Sequence, residues 1–326
     1  MNLFIEHEEW TLKNINDHEI DVSFVMSVYN KEYYLPSVLE ALLNQTGLKN
    51  PEFIFIDDVS KDRSVEIIRE KTKGIKNVVI VAKEKNEGIS KTINQGIMLA
   101  KGKWIRMLDS DDILPLNSTE KMIEIADKHN ADMVYGLFTK TGKEPEELTK
   151  EYIPNEFDYK YNQDAMRAVL NGRFTRMGQL ISRDVIQSAG GADVRVFIQD
   201  ESIPLRAARF SKGIIKIYTN VVLVPKETNN LSKNTIQLDN DRFFAHYYLL
   251  KDYYKDMDKD VASIVYLKAL SANWKYVKKN LSHPYMSADF FRYVHAKIVK
   301  PQPDFSFLEQ LEYRFLSLSN VLRSKV

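Results

Sequence analysis

Along the first part of the chain, apolar residues come in short runs, and each run stops abruptly at polar ones. Residues 22–28 (Val-Ser-Phe-Val-Met-Ser-Val) predict a strand by length and β-branched content, and 53–56, 78–81 and 104–108 repeat the pattern. Between these runs the spacing changes. Leu35, Val38, Leu39, Leu42 and Leu43 fall at helical intervals within 32–44, and 63–73 and 89–100 read as two more helices, the last closing at Gly102. Strand and helix alternate, which predicts an α/β fold with a mainly parallel sheet flanked by helices. A further strand is expected at 132–136, then a charged stretch at 140–151 that reads as a mobile loop. Residues 164–225 mix helices with short strands such as 213–218. From about 238 the pattern is helical and rich in aromatics, among them Phe243, Phe244, Tyr247, Trp274 and Phe290.

Parallel sheets bind ligands beyond the carboxyl ends of their strands. The clusters Tyr29-Asn30, Asp57-Asp58, Asn86-Glu87-Gly88 and Asp109-Ser110-Asp111-Asp112 all stand at such ends and should converge on one crevice. The last is the most demanding, because carboxylates crowded at the end of a buried strand need a cation. A divalent ion holding phosphate oxygens suits them, since Mg²⁺-type sites use one or two carboxylates and complete the shell from the substrate. A solvated acidic turn or helix cap is the simpler reading of such a cluster taken alone.

Composition narrows the picture. The chain has 326 residues with 46 Lys and Arg against 45 Asp and Glu, so no overall field points to nucleic acid. There is no cysteine, which removes disulfides, thiolate metal sites and cysteine nucleophiles. No stretch approaches the ~20 apolar residues of a membrane span, and residues 1–10 do not read as a signal peptide. A cytoplasmic protein is expected, with membrane contact, if any, peripheral at the inner face. The six histidines are scattered and no G-x-S-x-G elbow or Gly-rich phosphate loop occurs, so zinc catalysis, serine hydrolysis and P-loop chemistry are disfavoured.

Ser23 to Asn30, Asp57-Asp58-Val59-Ser60, Asn86-Glu87-Gly88-Ile89-Ser90 and Leu108 to Asp112 occur in the order and spacing of an inverting family 2 glycosyltransferase, which the chain resembles over residues 21–235. The resemblance implies a GT-A nucleotide-sugar-binding domain at 1–235, its nucleotide part at about 21–136 and its acceptor part at about 137–235, followed by a C-terminal α-helical region at 236–326. It implies a nucleoside-diphosphate donor, most simply a UDP-sugar, and a glycan or lipid-linked glycan acceptor of a bacterial surface polysaccharide such as capsule or lipo-oligosaccharide. Mn²⁺ or Mg²⁺ would be the cofactor. Tyr29 offers a stacking face for the base and Asp58 an acceptor for a uracil N–H, although either Asp57 or Asp58 could instead cap the helix near Asp62. Ser27, where many relatives have proline, and Asn30 border the same pocket. Asn86, Gly88 and Lys91 would meet the phosphates, with Lys91 supplying charge where Ile93 replaces the family's arginine. Asp109, Ser110 and Asp111 form the D-x-D segment that contacts ribose and metal, with Asp112 a further ligand.

The base should come later. Gly190-Gly191-Ala192-Asp193 and Phe197-Ile198-Gln199-Asp200-Glu201 resemble the family's turn and acidic pair, which assigns the proton-accepting role to Asp200, with Glu201 the alternative. Gln199 replaces the usual glutamate, and the family's late histidine ligand is missing from 224–232, where Glu227 is the substitute. These departures keep open a non-catalytic nucleotide- or glycan-binding scaffold. A sugar-nucleotide nucleotidyltransferase would want a Gly-rich basic loop in place of Tyr29-Asn30-Lys31-Glu32. The aromatic C-terminal helices read as core or as an acceptor platform. Lys275, Lys278, Lys279, Lys297, Lys300, Arg323 and Lys325 read as a solvated face or as a surface for anionic lipid or glycan.

Overall fold

The computed structural model describes residues 20–172, 174, 178–226 and 235–323. Strand β1 (Val22–Val28) is buried along its whole length, as a central parallel strand covered on both faces must be. It lies between β2 (Glu52–Asp57) and β4 (Trp104–Asp109), both parallel to it, and β3 (Val78–Ala82) adds to β2. Helices α1 (Leu35–Leu43), α2 (Ser64–Lys71) and α3 (Ile89–Leu99) make the crossovers. Among the described residues one eight-stranded sheet runs β3-β2-β1-β4-β7-β5-β8-β6, its far half formed by β5 (Met133–Lys140), β6 (Tyr159–Asn162), β7 (Gln179–Ser182) and β8 (Ile214–Val224). Strand β7 pairs antiparallel with β4 and β5, and β6 antiparallel with β8. The chain is therefore α/β with the GT-A fold.

One helix had no counterpart in the sequence pattern: α4 (Ser118–His129) follows the acidic turn. Arg106, fully buried in β4, ties it down by donating to Thr119 Oγ1 at 2.9 Å and to the Val221 carbonyl of β8 at 2.8 Å. Burial without a carboxylate pushes this guanidinium down to about 9. The stretch expected to be a mobile loop contains a 3₁₀ turn, Pro145–Leu148, closed by a Glu144/Glu147 capping box. Glu144 accepts from Tyr33 Oη at 2.6 Å and pairs with Lys226 at 3.1 Å, so the stretch is pinned over the end of β8.

On one face of the sheet, Phe24, Met26 and Leu108 pack with Leu39 of α1 and Met122 of α4. The other face carries Val25, Ile54 and Met107 under Ile93 and Ile97 of α3. That second core continues through α5 (Ala165–Asn171), α6 (Arg183–Ser188) and α7 (Gln199–Ala208) into α8 (Thr235–Tyr253), α9 (Lys259–Asn280) and α11 (Phe305–Leu316). Phe243 stacks on Phe315 at 4.6 Å and on Tyr247 at 5.5 Å, all three buried, so these aromatics are core. Helix α10 (Ala288–Val299) lies on the outside with Phe291 and Ile298 exposed. No described helix is long and apolar enough to cross a membrane.

Candidate active site

The parallel register brings Ser27 beside Asp109 and Val28 beside Asp57, so three strand ends share one rim. Tyr29, the next residue of the chain, is 49% exposed. Asn30 turns the chain with a positive φ of 52°, donating from its backbone to Ser60 Oγ and accepting from Lys61 N–H at its side chain. Val59 also has a positive φ, 70°, a costly backbone state for a β-branched residue that its surroundings must hold in place. Asp57 accepts the Ser60 N–H at 2.9 Å through Oδ2, while its buried Oδ1 has no hydrogen-bond partner. Asp62, not Asp57 or Asp58, caps the start of α2, accepting from Ser64 N–H at 3.0 Å.

Asp58 joins two of the motifs. Its buried carboxylate accepts the Glu87 N–H at Oδ1 and the Gly88 N–H at Oδ2, both at 2.9 Å, and Lys83 reaches Oδ1 at 3.0 Å. Asn86 closes the loop by donating to the Asp58 carbonyl at 2.9 Å. Two donors fill Oδ1, whereas Oδ2 keeps one lone pair for a ligand N–H. Gly88, at φ +87° with open space where a Cβ would project, leads into α3. Lys91, in the first turn of that helix, is partly exposed. Ile93 is fully buried against the sheet, so a cation at that position would have no route to the rim.

The acidic turn folds back on itself, Asp112 N–H donating to the Asp109 carbonyl, with Ser110 and Asp112 buried. Ile113 and Leu223 exchange backbone hydrogen bonds, which anchors the turn to β8. The cation that the acidic cluster needs is supplied in part from within, because Lys31 forms a salt bridge with Asp111. Among the described residues no three His, Asp or Glu side chains form a metal-holding group. The turn fits an open site instead, in which one or two carboxylates share an ion with phosphate oxygens. Glu227 lies outside the described residues.

Helix α3 also positions the later acidic pair. Ser90 donates to the Val196 carbonyl at 2.8 Å, and Asn94 both donates to the Ala192 carbonyl and accepts the Ala192 N–H. Asp200 then stands in the first turn of α7, where the helix dipole favours an anion. Its charge reaches the buried Tyr135, whose hydroxyl is held far above the usual phenol range by burial first and by Asp200 second. Glu201 behaves differently. It pairs with Arg242 of α8 at 3.0 Å, and burial raises its carboxyl despite that partner. Of the two candidate bases, Glu201 is thus tied to the C-terminal helices.

Four residues that complete these contacts gave no signal in the sequence. They are Lys31, Lys83, Asn94 and Tyr135, each an ordinary residue type until the fold gives it a partner. The acidic turn, the Asp58 loop, the start of α3 and the end of β1 together make one rim at the carboxyl ends of a parallel sheet, where such sheets bind ligands.

The model of the Glycosyl transferase family 2 matches residues 23–190, slightly more than half of the chain, and the chain belongs to that family. It is a glycosyltransferase by that membership. It is 28% identical over 233 residues to "Glycosyltransferase GlyG" of Streptococcus pneumoniae, covering 67% of this chain and 74% of that protein. It is 33% identical over 121 residues to "Minor teichoic acid biosynthesis protein GgaB" of Bacillus subtilis, covering 37% of this chain but only 13% of that much longer protein. The fold resembles that of S. aureus TarS, residues 1–349, solved with UDP-GlcNAc, at a TM-score of 0.60 and 14% identity over 85% of this chain and 81% of that one.

Proposed function

We propose that the chain transfers a sugar from a UDP-sugar to a hydroxyl of a cell-surface glycan, with inversion and in a single displacement. The observation that carries this reading is that the four motifs are hydrogen-bonded to one another: Asn30 to the 57–61 loop, Asp58 to the start of α3, and Lys31 to the acidic turn. The half-exposed Tyr29 ring suits the flat face of a base, and the open lone pair of Asp58 Oδ2 suits a uracil N–H. Ser27, Asn30, Asn86, Gly88, Lys91, Asp109, Ser110 and Asp111 border the ribose and diphosphate in this reading. The teichoic acid relative and the UDP-GlcNAc-bound neighbour support a surface polymer and a uridine donor.

When bound, Mn²⁺ or Mg²⁺ would offset the charge of the leaving diphosphate, held by Asp111 with Asp109 or Asp112. The protein's own part is to bind and to move a proton. The acceptor hydroxyl gives its proton to Asp200 as its oxygen bonds to the anomeric carbon, and the bond from that carbon to the diphosphate oxygen breaks on the opposite face. Glu201, held by Arg242, orients the first turn of α7.

The test is release of UDP from a panel of UDP-sugars with Mn²⁺ and an acceptor extract. Asp200→Asn should slow transfer by about 10²–10⁴-fold, the usual contribution of a general base, while UDP still raises its melting temperature. Glu201→Gln should keep most of the rate. Transfer by Asp200→Asn at the wild-type rate removes the base assignment. A wild type that binds UDP but releases none with any acceptor overturns the transferase reading in favour of a binding role.

A further inference from the structure

A second cavity, of about 780 Å³, opens beside β6, β8 and α5, away from the nucleotide rim. Its lining carries two cations set face to face by register, Lys160 of β6 opposite Lys216 of β8, and the same row continues into the core through buried Tyr135 of β5, beside Lys216, and Gln179 of β7. Like charges directly opposite in an antiparallel pair destabilise a sheet. Among the described residues neither Lys160 nor Lys216 has a carboxylate in ion-pair reach, whereas the cavity's other cation, Arg167, is taken up by Asp164 at 2.9 Å. Phe174 and Tyr218 stand at the walls, with the Lys216 ammonium 5.7 and 5.8 Å from their ring centres. Asn162 and Asn171 add amide groups. Aromatic faces and amides suit hydroxylated chains, and two unpaired cations call for an anion between them.

The row leads toward the chemistry. Phe174 meets Tyr135 edge-on at 4.7 Å, and Tyr135 Oη donates to Gln179 Oε1 at 2.7 Å, whose buried Nε2 has no hydrogen-bond partner. Tyr135 shares its buried core with Ile203 of α7, the helix whose first turn carries Asp200. We propose that this cavity is an acceptor subsite that holds an anionic group, a phosphate or carboxylate carried on a hydroxylated chain, between Lys160 and Lys216. The acceptor hydroxyl is thereby directed past Phe174 toward α7. This rests on the transferase reading with Asp200 as the base, and it adds that the acceptor polymer is negatively charged.

Binding measured calorimetrically without donor tests it, using three probes of similar length: a phosphodiester-linked glycerol trimer, trigalacturonic acid and the neutral maltotriose. At least one anionic trimer should bind about tenfold or more tighter than maltotriose, with an affinity that falls as salt rises. The Lys160→Gln/Lys216→Gln double variant should lose that preference while keeping its UDP affinity and melting no lower than the wild type. The stronger of the two anionic probes identifies phosphate or carboxylate as the source. Equal binding of neutral and anionic trimers, or a preference unchanged in the double variant, overturns the subsite. Absence of UDP release from every protein, with the anion preference intact, would instead sink the transferase reading and leave the cavity an anion site.

Discussion

Asp58 shows how one side chain can tie two motifs of the candidate site together. Three donors from Glu87, Gly88 and Lys83 converge on it inside the protein. Asp58→Ala would orphan two backbone N–H groups, while the nearly buried Lys83 ammonium keeps Glu87 and Thr92 Oγ1. Leaving a buried donor unsatisfied costs about 1–3 kcal/mol, so urea unfolding should show a loss in that range, together with weaker UDP binding. Asp58→Asn should cost less, since its carbonyl oxygen can still accept from one of the N–H groups. A midpoint unchanged in the alanine variant would mean that the loop stands without this clamp. The acids of this site were legible because three aspartates within four residues at a strand end are conspicuous at any burial. The lysines were not, since nothing sets Lys31 or Lys83 apart among 46 basic residues until the sheet places them beside Asp111 and Asp58.

Among the elements, α3 organises both halves of the site. Its start carries the N–H groups held by Asp58, and its next turn fixes the 190–197 turn through Ser90 and Asn94. Gly191 permits that approach: it has φ +65°, and a Cβ there would fall 2.3 Å from Asn94 Oδ1. Gly191→Ala should therefore cost about 1–3 kcal/mol in thermal or chemical unfolding and reduce transfer more than UDP binding, because it moves α7 and leaves the rim intact. Equal loss of both would place the damage in the nucleotide half. Strands β1, β2 and β4 were legible because both of their faces are buried, and the half-buried edge strand β3 because it is a run of β-branched residues. Helix α4 was not, since its described buried apolar residues reduce to Met122, Ile125 and Ala126. Strand β6, Tyr-Lys-Tyr-Asn, alternates over only four residues, too few to stand out, and exists through its pairing with β8.

At the scale of the molecule, the helices after 235 belong to the core that lies beneath α3 and α7. Buried Asp241 of α8 accepts the Ile198 N–H at the start of α7, and Arg195 bridges Asp193 to Asp252 of α8 while lying over the Tyr248 ring. The first turn of α7, and with it Asp200, is thus set by the C-terminal region. That dependence gives a pH signature. His246 of α8 donates its Nδ1–H to the Arg242 carbonyl at 2.7 Å, and burial, with Lys268, Arg242 and Lys275 nearby, pushes it down to about 4. Above about pH 6.5 the ring is neutral in the folded and unfolded chain alike, and its contribution is fully present. As pH falls from there toward 4, the unfolded chain takes up a proton that the fold refuses, so stability declines by at most about 1.4 kcal/mol per pH unit. Glu201 and Asp241, whose carboxyls are raised mainly by burial, bind protons more readily in the fold and offset part of that decline. Melting temperatures between pH 4.5 and 7 should therefore fall less steeply with acidification in His246→Leu than in the wild type. Parallel profiles for the two proteins would show that His246 takes up its proton as readily in the fold as in the unfolded chain, and that α8 is not the acid-sensitive support of α7.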